Sequence, residues 1–283
     1  MQFPDLSGSD FRLLTAGWQS VAVAADGQWL FKFPRTAKAG EALRREAMLL
    51  PVVRPKVTMS VPQLELLQGG WHGVFSRHAM LKGDHLTAAD YALLSEGARQ
   101  RLARELALFY MELHAIDPQF MRDAGARPVC PWLSPEEILT KVRRLLPARQ
   151  LDIAEQALVR WQSLPPDTYG TTYGFFDGHG WNMAFDHERQ QLNGIYDFAD
   201  SGFGDLHQEF IYSNFVSPDL TSDIIAEYEQ LTGRRIDRQR IHLLTGVLRL
   251  SELAEVVDDV ELMPVIGRKF EEWCKWDEEG SRS

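Results

Sequence analysis

The β-capable runs of this chain are gathered rather than spread. Almost all lie before residue 80, and the remainder is helical in pattern apart from one extended island between about Thr171 and Tyr196. A β-rich first part followed by a helical second part implies an α+β protein of two unequal lobes with a cleft between them. The chemistry is expected at that cleft.

Within the first part, from Phe11 to Pro34, FRLLTAGW, SVAVAADG and QWLFKFPR read as three antiparallel strands, with Asp26-Gly27 as a hairpin turn. The following AKAGEALRREAMLL sets Leu43, Ala47 and Leu50 on one side with Arg44, Arg45 and Glu46 interleaved, a short amphipathic helix that Pro51 is expected to end. Two further extended runs, VPQLELLQG and WHGVFSRHAM, precede the polar LKGDHLT. The boundary is therefore placed near residue 80, giving lobes of 1–80 and 81–283.

In the second part, ALLSEGARQRLARELALFYMELHAI carries Leu102, Leu106 and Leu113 at helical spacing and should end near His114, before Asp117-Pro118. Ser134-Pro135-Glu136-Glu137 has the form of an N-cap with proline in the first turn. The island contributes TTYGFF, NMAFD and LNGIYD. Helical pattern resumes at about Leu206 and continues through SDIIAEYEQLTG and RQRIHLLTGVLRLSELAEVV.

Composition narrows the function. A net charge of −10 argues against a nucleic-acid partner, whose phosphates demand clustered Lys and Arg, and favours a cationic small molecule. No run approaches the roughly 18 apolar residues of a membrane helix, and MQFPDLSGSDFRLL lacks a basic region followed by an apolar core. Cys130 and Cys274 form neither a zinc pattern nor a disulfide framework, so a cytoplasmic location is expected, with both as small core or partly buried residues.

The candidate site residues begin in 174-GFFDGHGWNMAFD-186. Asp177-Gly178 by itself reads as a turn. Asn182 five residues on, and Asp197 at the end of the next apolar run, turn it into an oxygen-rich set suited to Mg²⁺, which takes one or two carboxylates and leaves room for phosphates and water. Lys32 alternates with Phe31 and Phe33, so it takes the opposite strand face, where Glu46 is the expected partner. The competing reading is a solvated surface pair of little energetic weight. His179 is read as a loop hydrogen-bonder, Asp186 and Asp205 as loop or cap residues, and Gly17 to Ser20 as a turn able to cover phosphates. The acidic run 252-ELAEVVDDVEL-262 is either a solvated helix face or a wall that attracts a polyamine.

Together these segments resemble the aminoglycoside phosphotransferases, a branch of the protein-kinase-like fold that phosphorylates small molecules, over nearly the whole chain. The family's H-G-D-x-H-x-x-N segment, followed by an Asp, is matched by Asp177, His179, Asn182 and Asp186, and its metal-binding segment by 194-GIYDFADSGFGD-205. The opening 17-GWQSVAVAADGQWLFKFPR-35, with Arg-Arg-Glu ending at Glu46, is similar to the aminoglycoside 2''-phosphotransferase group in particular.

The resemblance implies a small-molecule kinase that moves the terminal phosphoryl group of ATP or GTP, with Mg²⁺, to a hydroxyl of an aminoglycoside-like or other amino-sugar acceptor. By it, Asp177 orients the acceptor hydroxyl or takes its proton, and Asn182 and Asp197 hold the metal. Lys32, paired with Glu46, meets the nucleotide phosphates beneath a turn ending at Ser20, and the connector from Ser76 through Ala79 to Met80 offers its backbone to the base. One departure stands out: Phe175 and Phe176 replace the family's His-Gly before the catalytic Asp. Either an apolar ring substitutes for that histidine scaffold by packing, or the chain is a nucleotide-binding pseudokinase. A metabolite kinase acting on a choline-, sugar- or amino-alcohol-type acceptor is the remaining alternative.

Overall fold

The computed structural model describes residues 8–14 and 19–280, together with Phe3 and Leu6. The first runs form β1 (Phe11–Leu14), β2 (Ser20–Ala25) and β3 (Trp29–Pro34). The β2–β3 hairpin turns at Asp26 and Gly27, whose φ values of 52° and 62° match the twist of the flanking strands. Residues 15–18, including Gly17 and Trp18 of the expected phosphate-covering turn, lie outside the described residues.

Helix α1 (Ala37–Val53) starts at Thr36, whose hydroxyl accepts from the Ala39 N–H at 3.1 Å. It buries Leu43, Leu49 and Leu50 and, contrary to expectation, runs through Pro51. In a last turn a proline removes one backbone hydrogen bond, while the Arg54 N–H still donates to the Leu50 carbonyl and carries the helix to Val53.

Strands β4 (Glu65–Gln68) and β5 (Val74–Ala79) complete an antiparallel sheet in the order β1-β2-β3-β5-β4. Its outer face packs Phe31, Phe33 and Phe75 with Phe3, the Phe33–Phe75 rings stacking at 5.1 Å. Lys32, in register with Ser76 on β5, takes the inner face. Both are buried, at 8% and 0% exposed.

Beyond the sheet come α2 (Ala88–Ala92), α3 (Glu96–His114), α4 (Pro118–Asp123), α5 (Pro135–Val142) and α6 (Ala148–Gln162). Leu102, Leu106 and Leu113 of α3 are buried as their spacing requires, and Ser134 and Glu137 form a reciprocal capping box at the start of α5. The island resolves into β6 (Thr171–Gly174) and a hairpin of β7 (Met183–Asp186) with β8 (Gln191–Ile195). A strand absent from the expectation, β9 (Gly202–Asp205), pairs with β6. Its sequence, GFGD, has no apolar alternation to announce it.

A 3-10 segment (Leu206–Phe215) then leads into α7 (Pro218–Thr232), α8 (Arg238–Glu255) and α9 (Met263–Gly280). Helices α3 and α7 share the main core, while α8 and α9 form a second one around Leu250, Phe270 and Trp273. Cys274 belongs to this second core, but Cys130 is exposed, correcting the expectation for it. It sits in the irregular loop just before Pro131, outside any packed element. Among the described residues no helix is long and apolar enough to cross a membrane.

Candidate active site

The loop after β6 fixes Asp177 at both carboxylate oxygens. Asn182 Nδ2 donates to Oδ2 at 2.6 Å and to the Asp177 carbonyl at 3.0 Å, and His179 Nε2 lies 3.0 Å from Oδ1. Burial alone would push the His179 imidazole down, but its hydrogen bond to Asp177 and that carboxylate's charge win and hold it above the ordinary histidine range. The loop is seated on the chain that follows the sheet: Leu86 N–H donates to the Gly180 carbonyl at 3.0 Å, and a Cβ on Gly180 would meet the Leu86 carbonyl oxygen at 1.8 Å. Only glycine permits that approach.

Lys32 Nζ lies 3.0 Å from Asp197 Oδ1 and 4.0 Å from Glu46 Oε1. The expected Lys32–Glu46 pair is thus the looser contact, and Asp197 is the tighter partner. Burial works against the ammonium, yet Asp197 and Glu46 together hold it above the usual lysine range. Burial also pushes the Glu46 carboxyl up against the opposing pull of Lys32. Glu46 Oε1 accepts from the Phe198 N–H at 3.0 Å and Arg45 donates to the Ala199 carbonyl at 2.8 Å, so α1 grips the segment carrying Asp197. Asp197 itself takes left-handed dihedrals, φ 71° and ψ 69°.

Asn182 and Asp197 offer only oxygen to an ion, a donor set suited to a hard cation completed by phosphates and water. Among the described residues no group of three or more His, Cys, Asp or Glu is assembled to hold a metal alone. Asp200 adds a further carboxyl, raised by burial and then by the charges of Asp177 and Asp197, and it accepts from Gln19 Nε2 at 3.3 Å. Behind His179 stands a wall in which Phe215 packs on the imidazole at 6.0 Å, Arg249 covers Phe215 at 3.4 Å and Glu252 pairs with Arg249 at 3.2 Å. Glu252, with 26% of its side chain exposed, is thus a partly buried member of the acidic run. Burial raises its carboxyl despite Arg249.

On the inner sheet face Ser20 opens β2 opposite Pro34, and Ser76 presents a buried hydroxyl without a hydrogen-bond partner. The Met80 N–H is engaged by the Gln28 carbonyl at 2.7 Å, and the Ala79 carbonyl accepts from His78 Nδ1 at 2.9 Å. His78, 3% exposed, keeps a buried Nε2 without a partner, and burial pushes its imidazole down to about 4. It therefore folds neutral. Because the unfolded side chain titrates near 6.5, the unfolded state binds more protons between that value and about 4, and stability falls as pH drops through this window. From pH 7 to 5 the wild type should lose about 2 kcal/mol more than His78→Leu, as read by urea unfolding at both pH values. Parallel losses would refute a buried neutral His78.

Phe175 is fully buried, its ring 4.9 Å from Phe198 and 5.9 Å from Phe109, with Phe109 and Phe198 in edge contact at 6.2 Å. Ring pairs of this kind contribute about 0.5–1.5 kcal/mol each beyond area burial. The apolar ring thus packs the Asp177 segment directly against the residue after Asp197. Sequence reading missed Asp200 and His78, although Asp200 lies in a quoted motif and strand alternation puts His78 on the face of Lys32 and Ser76. It also missed Glu209, a buried carboxylate behind Phe175 for which no local pattern exists.

Solved structures share this fold, three of them as follows. A mutant of aminoglycoside 2'-phosphotransferase-IIIa in complex with GDP is 24% identical with a TM-score of 0.87, covering 100% of this chain and 96% of the other. The GDP and kanamycin complex of APH(2'')-IIIa is 22% identical with a TM-score of 0.80, covering 93% and 92%. Macrolide 2'-phosphotransferase type I is 16% identical with a TM-score of 0.67, covering 95% of each chain. At these identities the likeness establishes the fold, and no curated protein sequence matches. The model of the phosphotransferase enzyme family matches residues 10–244. With that match spanning both the sheet that carries Lys32 and the loop that fixes Asp177, the chain belongs to the phosphotransferase enzyme family.

Proposed function

We propose that this phosphotransferase is a Mg²⁺-dependent kinase that transfers the terminal phosphoryl group of ATP or GTP to a hydroxyl of an aminoglycoside-like or other amino-sugar acceptor. The observation that carries this reading is the fixed carboxylate of Asp177, held at both oxygens by His179 and Asn182, together with a buried Lys32 that Asp197 and Glu46 keep charged. Phosphoryl transfer asks the protein mainly to position reactants and to balance spread negative charge.

Residues 1–80 serve the nucleotide and residues 81–283 the acceptor. Lys32 meets the phosphates under the turn ending at Ser20, while Ser76 and Ala79 border the base. Asn182 and Asp197 would hold Mg²⁺, which when bound neutralises phosphate charge. Asp177 orients the acceptor hydroxyl and takes its proton. Asp200 adds a carboxyl for an acceptor ammonium group, whose charge would favour its ionised form. Related structures were solved with GDP and kanamycin, and with ATP and streptomycin, which supports this donor and acceptor class. A nucleotide donor also suits the cytoplasm, and an aminoglycoside acceptor would make the protein a resistance determinant.

Two readings remain open to the same test, and Phe175 packing in place of the absent histidine speaks for a competent loop over a pseudokinase. The test is transfer of labelled phosphate from ATP and from GTP, with Mg²⁺ or with chelator, onto aminoglycosides, macrolides, choline, sugars and amino alcohols. Mg²⁺-dependent labelling of an amino sugar is expected. Labelling of only a metabolite would reassign the acceptor, and nucleotide binding without transfer would replace the kinase reading with a pseudokinase.

A further inference from the structure

Among the described residues three Lys or Arg side chains are buried, Lys32, Arg240 and Arg249. Lys32 has Asp197 at 3.0 Å and Arg249 has Glu252 at 3.2 Å. Arg240, in the first turn of α8 and 8% exposed, has no such partner. Its Nη2 lies 3.8 Å from Asp205 Oδ2 and its Nε 3.9 Å from Asp167 Oδ2, both too far for a hydrogen bond. Nη1 donates to the neutral Pro165 carbonyl at 2.9 Å, and the buried Nε has no hydrogen-bond partner.

Neither carboxylate is free to make good the deficit. Asp167 Oδ2 accepts from the His207 N–H at 3.0 Å and lies 2.7 Å from His207 Nδ1, while Oδ1 accepts from the Tyr169 N–H at 2.9 Å. Asp205 has 48% of its side chain exposed and can turn to water. Burial, and then the charge of Asp167, push its carboxyl up, which makes it a poor counterion. A buried guanidinium left in this state favours an anion brought from outside.

Arg240 lines a cavity of about 490 Å³ between the loop before α5, the loop after α6 and α8 itself. The walls are largely apolar and include Trp132 and Trp161, whose ring centroids lie 5.8 Å apart at 46°, with Leu164 and Leu244 beside them. The exposed thiol of Cys130 also lines it. The volume is that of a small-molecule site. It is a different place from the candidate active site. Asp205 pairs with Thr171 at the end of the β6–β9 ladder remote from Gly174, from which the chain runs on to Asp177. Along α8 the interval from Arg240 to Glu252 spans about 18 Å at a rise of about 1.5 Å per residue.

We infer that this cavity binds a small aromatic carboxylate, its ring against Trp132 and Trp161 and its carboxylate on the Arg240 guanidinium, at a site separate from that of phosphoryl transfer. The indoles offer faces and edges to a planar ring, and the guanidinium fork matches the two oxygens of a carboxylate. The inference is independent of the donor and acceptor proposed above.

The test is isothermal titration of the full-length protein with naphthoate and, beside it, with naphthylmethylammonium, which keeps the rings and reverses the charge. Naphthoate should bind at one site and the ammonium should not, with saturating nucleotide leaving the titration unchanged. Arg240→Met should weaken naphthoate by about 10- to 100-fold, the worth of a charge-assisted hydrogen bond. If that variant does not fold, wild type decides through Cys130. At a naphthoate concentration about ten times its Kd, alkylation of Cys130 by iodoacetamide, read by mass spectrometry, should slow by about tenfold. No binding at millimolar naphthoate, preference for the ammonium, displacement by nucleotide or unchanged alkylation of Cys130 would each overturn the inference.

Discussion

Asp177→Asn should lower the rate of phosphoryl transfer by about 10²- to 10⁴-fold, the range a positioned general base contributes, while nucleotide KM stays within about twofold. The substitution keeps the size and planar shape of the side chain and removes the charge that would take the hydroxyl proton. It is also the substitution that best separates this role from that of a turn residue, since Asn serves in turns as readily as Asp. A turn role predicts unchanged stability and unchanged rate. The proposed role predicts nearly unchanged stability with a collapsed kcat. Steady-state kinetics beside thermal unfolding of both proteins decides, and wild-type turnover in the variant would return Asp177 to the turn.

Lys32→Met should abolish transfer and also destabilise the fold by about 3–5 kcal/mol, because it strands Glu46 in the interior. Glu46 is 1% exposed and would keep only the Phe198 N–H as a partner, whereas Asp197, with 44% of its side chain exposed, can turn to water. Adding Glu46→Gln should recover most of the lost stability and none of the activity. An exposed pair would have predicted a loss within about 1 kcal/mol and nothing to recover. The deficit carries a pH signature. In the single variant Glu46 is relieved by taking up a proton, so its folded pKa lies above the unfolded value and the deficit is full above that folded pKa. It should shrink as pH falls toward the unfolded value. Urea unfolding of wild type, single and double variants at pH 7 and 5 tests both parts, and a double variant no more stable than the single would overturn the buried-pair account.

What proved legible in the sequence was set by local rules. Asp26-Gly27 specifies its hairpin because a turn with two positive φ values admits few residues, and the spacing of Leu102, Leu106 and Leu113 specifies α3 because one face must be buried. Alternation put Lys32 opposite Phe31 and Phe33, and the sheet keeps that division. Motif spacing brought Asp177 and Asn182 into one loop, where they meet at 2.6 Å. Pro51 misled because a breaker's cost depends on its place in the helix, which a local rule does not weigh.

The tertiary structure decided the pairings. That Lys32 meets Asp197 more closely than Glu46, that Glu46 caps Phe198 from 152 residues away, and that Glu209 holds the amides of Phe175 and Phe176 are outcomes of chain closure. Closure over such separations is set by how sheet and helices bury their apolar faces against one another, and polar partners are then fixed by which buried groups must be satisfied. The sequence by itself determined the elements and the kinds of chemical group present. Folding determined which carboxylate faces which cation and how the Phe175–Phe176 pair is held, because hydrogen bonds and ion pairs depend on distances that no local periodicity encodes.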